Sequence, residues 1–178
     1  MKSEIIGPFE VLGSPISPGV GQIVLTQGYF LQLTNLHNAP VKIDIEYAST
    51  PAFQKSMGTV ALTCDIITGN GIPPTPAEIA ATTTAFLVAP VGFKNQTIPA
   101  NTTWIFGVQY FLTDVTTPPA NMLEARGVVT LKAPAGSRFM ALATTRQAFF
   151  NYTAANTLLD VAESAYSVPL VGGPELKF

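Results

Sequence analysis

The residues of this chain that could act chemically are few. His37 is the only histidine and Cys64 the only cysteine among 178 residues, so one copy cannot build a histidine-rich metal site, a multi-cysteine zinc site or an intrachain disulfide. His37 lies in the turn-forming stretch Leu36-His37-Asn38-Ala39-Pro40. Beside a hydroxyl, or at a subunit interface, it would serve as a general base or metal ligand; its place in a turn reads instead as that of an exposed turn residue. Cys64 shares the alternation phase of Val60, Leu62 and Ile66, which marks a buried small hydrophobe and not a reactive thiol.

Asp44 and Glu46 form the best carboxylate pair. Two apart on a strand, they leave one face with their bases about 6.5 to 7 Å apart, a separation at which carboxylates act as glycosidase acid and base or hold a hard cation. Lys42 shares that face, however, and the three together read as solvated outer surface. Asp65, Asp114, Glu124, Asp160 and Glu163 are dispersed, and no calcium-loop, phosphate-loop, GxSxG, HExxH or CxxC pattern occurs. Asn95, Asn101 and Asn151 each open an N-x-Thr triplet, a coincidence in a chain rich in Asn and Thr. No catalytic residue, metal or cofactor is assigned, and an enzyme is not expected.

The aromatic residues carry more positive content. Over 104–112, Trp104, Phe106, Val108, Tyr110 and Leu112 occupy one phase while Ile105 and Phe111 occupy the other. A strand apolar on both faces is either central and covered or in contact with another subunit. Tyr29-Phe30-Leu31-Gln32-Leu33 is a milder case, and Phe149-Phe150-Asn151-Tyr152 adds a third group. Tyr29, Trp104, Tyr110 and Tyr152 are the candidate ligand-binding residues, since exposed rings of this kind stack on a carbohydrate or small ligand with Asn, Gln and Thr donors nearby.

Strands must position these residues. In Val41-Lys42-Ile43-Asp44-Ile45-Glu46-Tyr47 every odd position is apolar and every even one charged, the pattern of a half-buried strand. The segment 22–34 is also strand-rich and ends at the turn-forming 35–40, so the two predict an antiparallel hairpin. Further strands are expected at 4–12, 58–67, 84–90, 103–113, 125–133, 137–145 and 161–169. Pro-led turns at 98–104 and 133–139 resemble hairpin ends. Short, evenly spaced strands predict an all-β fold, a two-sheet antiparallel β-sandwich of jelly-roll or Ig-like kind, with a barrel as the alternative. Helix is expected to be limited to one or two short turns in loops. The best start is Thr75-Pro76-Ala77-Glu78 in the long connection that begins at Gly69, and a second is at 154–161. Residues 1–170 read as a single domain and 171–178 as a flexible C-terminal tail, whose Leu176 and Phe178 could dock on a neighbouring subunit.

Composition points to a function class. Only 11% of the residues are charged, against roughly a quarter in an ordinary soluble domain, and Thr, Ser, Asn and Gln carry the polarity instead. Formal net charge is −2 and the cations stand singly, which argues against nucleic-acid binding. Mean hydropathy is +0.33, yet no apolar run approaches the roughly 18 to 20 residues of a membrane helix, so membrane insertion is not expected. No signal peptide is evident at the start of the chain, which predicts a cytoplasmic protein or one within an assembled particle. Low charge with doubly apolar strands predicts a structural or interaction subunit that forms a homo-oligomer. A carbohydrate- or small-ligand-binding module is the alternative.

Overall fold

Alternation of apolar and polar side chains builds most of the molecule. The computed structural model describes residues 1–17, 22–69 and 75–178. Within them, strands cover Lys2–Ser17 (β1), Ile23–Asn35 (β2), Val41–Thr50 (β3), Ser56–Met57 (β4), Val60–Ile67 (β5), Gly92–Ile98 (β6), Thr103–Leu112 (β7), Leu123–Ala133 (β8), Arg138–Tyr152 (β9), Leu158–Val168 (β10) and Glu175–Lys177 (β11), and one helix covers Pro76–Phe86 (α1). The all-β expectation holds. In β3 the reading is residue by residue: Val41, Ile43, Ile45 and Tyr47 are buried, while Lys42 is exposed. No described helix is long and apolar enough to cross a membrane.

All the strands join one hydrogen-bonded sheet in the order β4-β5-β7-β2-β1-β8-β3-β6, with β9 also on β2, and β10 and β11 on β9. The sheet curls into a half-barrel. Its two limbs come round far enough for Phe93 of β6 and Phe106 of β7 to meet with ring centroids 5.4 Å apart. The divergence of the limbs begins on β2, which pairs with β9 along 23–35 and shares its other edge between β1 at 23–27 and β7 at 28–34. Gln27 stands at that fork. Its Nε2 donates to the Glu10 carbonyl at 3.0 Å, supplying a partner to a backbone group that β2 has left. Between the limbs lies one apolar core in which Phe9, Tyr47, Phe53, Phe86 and Phe93 pack edge to face, stacked or tilted.

The connections differ from the expected hairpins. β2 and β3 are consecutive but do not pair, because β2 lies among β1, β7 and β9 while β3 lies between β6 and β8. The stretches 35–40, 99–102 and 134–137 all carry the chain from one limb to the other. Turn chemistry announces that the chain reverses; which strand it then joins depends on distant pairing energy. Asn35 ties the first two of these crossings together from a fully buried position. Its Nδ2 reaches the carbonyls of Ala39, Ile98 and Pro99 at 2.9 to 3.1 Å, and its Oδ1 accepts from the His37 N–H at 2.9 Å.

The helix is longer than one or two turns, at 11 residues, and it replaces the strand expected at 84–90. Its start is the capping box read from the sequence. Thr75 accepts from the Glu78 N–H, and Glu78 Oε2 accepts from the Thr75 N–H at 2.7 Å. In its threonine-rich middle Thr83 and Thr84 donate their hydroxyls back to the Ile79 and Ala80 carbonyls at 2.9 and 3.0 Å. Phe86 then plugs the helix into the core, 5.0 Å from Phe53. The expected loop residues 70–74 lie outside the described part of the chain.

Strand β6 was not among the expected ones, since Asn95 at φ 56° and a register shift opposite Ile43 and Ile45 break its alternation. The C-terminal segment is also corrected. Instead of a flexible tail, β11 pairs with Arg138, Phe139 and Met140 of β9, and Leu176 and Phe178 are buried in the chain's own core. Two apolar residues at alternate positions suffice because β9, at 15 residues, extends past the end of β10 and offers them a free edge.

Candidate self-association surface

Three of the four aromatic candidates face inward. Tyr29, Tyr110 and Tyr152 are 0%, 1% and 1% exposed, and only Trp104, 6.3 Å from Phe106, is partly open. Tyr29 lies on the core phase with Leu31 and Leu33, and Tyr110 lies on it with Val108 and Leu112. They therefore form no exposed stacking platform. Burial pushes the phenols of Tyr29, Tyr110 and Tyr152 above their ordinary range. Tyr110 exchanges hydrogen bonds with the Gln54 backbone at 3.2 and 3.3 Å, which fixes the segment leading into β4.

The other sequence candidates are engaged structurally. His37 Nε2 lies 2.7 Å from the Gly136 carbonyl and braces two of the crossings. Cys64 is fully buried, and burial pushes its thiol up. Asp44 accepts the Asn95 N–H at 2.7 Å, while Glu46 is held between Lys132 at 2.8 Å and Lys94. Those two cations keep the Glu46 carboxyl below its usual range, Lys132 contributing most. Among the described residues no three His, Cys, Asp or Glu side chains gather in a way that could hold a metal ion.

The outer face of the sheet holds features that the linear sequence did not point out. Strand pairing sets Thr63, Gln109, Gly28, Arg146 and Ala165 in one row across β5, β7, β2, β9 and β10, and Asp65, Gly107, Phe30, Thr144 and Ser167 in the next. Phe30 lies flat over its glycine neighbours. A Cβ on Gly107 would sit 2.7 Å from the Phe30 ring, and one on Gly28 would sit 2.9 Å from it. The Arg146 guanidinium lies over the ring at 4.3 Å from its centroid. Around this stack runs a trough of about 560 Å³ bordered by Asp65, Gln109, Gln147 and Glu163. Arg146 makes no ion pair with a described carboxylate. Asp65 is half-buried, and burial raises its carboxyl although Thr63 donates to it at 3.0 Å.

Strand β10 closes this face and is itself uncovered. Residues 159–167 are exposed on both sides of the strand, including Leu159 at 67%, Val161 at 46% and Tyr166 at 49%. Among the described residues β9 is its only ladder partner. The two ends of the main strand path are blunted in ways that discourage pairing: β4 is 2 residues long, and β6 carries Lys94 and the Asn95 irregularity. Over its 11 residues β10 has neither lysine nor proline, and its only charges are Asp160 and Glu163.

A comparison with protein-family models gives no match, and a comparison with curated proteins gives none either.

Proposed function

We propose that this chain is a non-catalytic structural or interaction subunit that assembles with copies of itself. The observation that carries the reading is β10, a long, weakly charged strand open along one edge and exposed on both faces. Such an edge is a template for pairing, and one that is long, weakly charged and free of lysine and proline lacks the usual protections against it. Exposed Met140 and Leu142 on the adjoining β9 enlarge the apolar surface. The framework acts as a sandwich whose two layers stay joined through β2 and its neighbours, giving a stiff body behind the open strand. Light scattering or native mass spectrometry at low micromolar concentration tests the reading. An oligomer is expected, and a mass that stays monomeric on concentrating overturns it.

A second reading, a binding module for a carbohydrate or other small polar ligand, is favoured by the trough beside Phe30, where Arg146 and Asp65 stand without an ionic partner among the described residues. Titration with a panel of neutral and acidic sugars checks it. Binding that Arg146→Ala abolishes supports this reading, and no binding at millimolar sugar removes it.

A further inference from the structure

We infer that β10 pairs antiparallel with β10 of a second copy about a two-fold axis at Ser164, and that Arg146 of each copy reaches Glu163 of the other. This inference rests on the self-association reading and specifies its contact. A two-fold axis perpendicular to the sheet keeps each strand's faces, so residues of like parity must oppose one another across the new edge. Centring on Glu163 would set two carboxylates directly opposite, which is unfavourable. Centring on Ser164 sets Ala162 against Tyr166, Val161 against Ser167 and Glu163 against Ala165, so that every charge faces a neutral neighbour and the one large aromatic faces a methyl group.

That register also gives Arg146 a partner. Arg146 is the direct neighbour of Ala165 on the outer face, and Glu163 from the second copy would lie on the far side of the same alanine. Two strand spacings place the two Cα atoms about 10 Å apart, a gap that a long arginine and a glutamate span over the small Ala165 side chain. The guanidinium is already oriented by the Phe30 ring at 4.3 Å, so little rotamer freedom remains to be lost on pairing. Symmetry forms the ion pair twice. Ser164 and its copy would have Cα atoms about 4.5 to 5.5 Å apart, within the range a disulfide accepts.

Ser164→Cys tests the axis directly, because position 164 is exposed and Cys64 is buried. Incubated with oxidised glutathione, Ser164→Cys is expected to become a covalent dimer. Ala162→Cys alone is not expected to, while an equal mixture of Ala162→Cys and Tyr166→Cys is expected to form the mixed dimer. Glu163→Arg and Arg146→Glu test the ion pair: each alone is expected to associate about tenfold more weakly, since attraction becomes repulsion at two sites. Their equal mixture is expected to recover wild-type association, because each opposed pair is then complementary; a contact within one chain would give no recovery. If the wild type is oligomeric but Ser164→Cys stays uncrosslinked and mixing restores nothing, this contact is wrong and self-association stands. A monomeric wild type removes both.

Discussion

Arg146 on β9 and Phe30 on β2 are stacked, with the guanidinium 4.3 Å from the ring centroid and two glycines, Gly28 and Gly107, against the ring. The absence of side chains at Gly28 and Gly107 leaves the room that the Phe30 ring occupies across the strands. A methyl group at position 107 would lie 2.7 Å from the ring and must displace it. Gly107→Ala is therefore expected to cost about 1–3 kcal/mol. Combined with Phe30→Ala it is expected to cost less than the two changes summed, since the clash then has no ring to meet. Urea denaturation of the single and double variants measures both effects, and wild-type stability in Gly107→Ala would count against this packing.

Asn35 joins two crossings with one side chain, and that side chain is fully buried. Asn35→Ala leaves the carbonyls of Ile98 and Pro99 and the N–H of His37 without their side-chain partner. The expected loss is about 3 kcal/mol. Asn35→Asp is expected to be at least as damaging, because a carboxylate cannot donate to carbonyls. Thermal unfolding separates the cases, and a loss in Asn35→Ala below about 1 kcal/mol would mean that other contacts hold this end of the molecule.

The parts of the fold legible in the sequence were those determined within a few residues. The alternation of Val41, Ile43, Ile45 and Tyr47, the capping box of Thr75 and Glu78, and the buried phase of Cys64 all depend on local spacing and were read directly. Pairing was not legible. Nothing near Gln27 or Gly28 says that β1 will leave β2 there and β7 replace it. The same limit hid the outer face: Arg146 stands alone in the chain, and only the register Gly28↔Arg146 brings it over Phe30. The aromatic candidates misled because a ring's chemistry is the same whichever phase it occupies, and Tyr29 and Tyr110 take the inward one.

The docked C-terminus gives a position-specific expectation. Leu176 and Phe178 are buried against β9, with Phe178 edge-on to Phe139 at 6.1 Å, whereas Lys177 between them points outward. Phe178→Ala is expected to cost about 3 kcal/mol, and Lys177→Ala is expected to stay within about 0.5 kcal/mol of wild type. Removing residues 174–178 is expected to cost more than either. Equal, negligible effects in chemical denaturation would restore the picture of a mobile tail.

Two carboxylates should shape the pH dependence of stability in opposite senses. Burial raises the Asp65 carboxyl above its ordinary value of 3.8 in the folded chain, so between that value and the raised one the folded state binds more protons than the unfolded state. Stability must then fall as pH rises through this window. Asp65→Asn removes the effect; it is expected to exceed wild type near neutral pH by up to about 1 kcal/mol, Asp65 being only half-buried, and to lose that advantage below the ordinary carboxyl value. Glu46 behaves the other way. Lys132 and Lys94 hold its carboxyl below the ordinary 4.5, so its contribution is present above that value and is lost as pH falls through the lowered one. Glu46→Gln should be less stable than wild type near neutral pH and converge with it in acid. Urea midpoints taken from acid to neutral pH distinguish the two residues. A wild-type curve unchanged by Asp65→Asn would show that the outer trough does not strain its carboxylate.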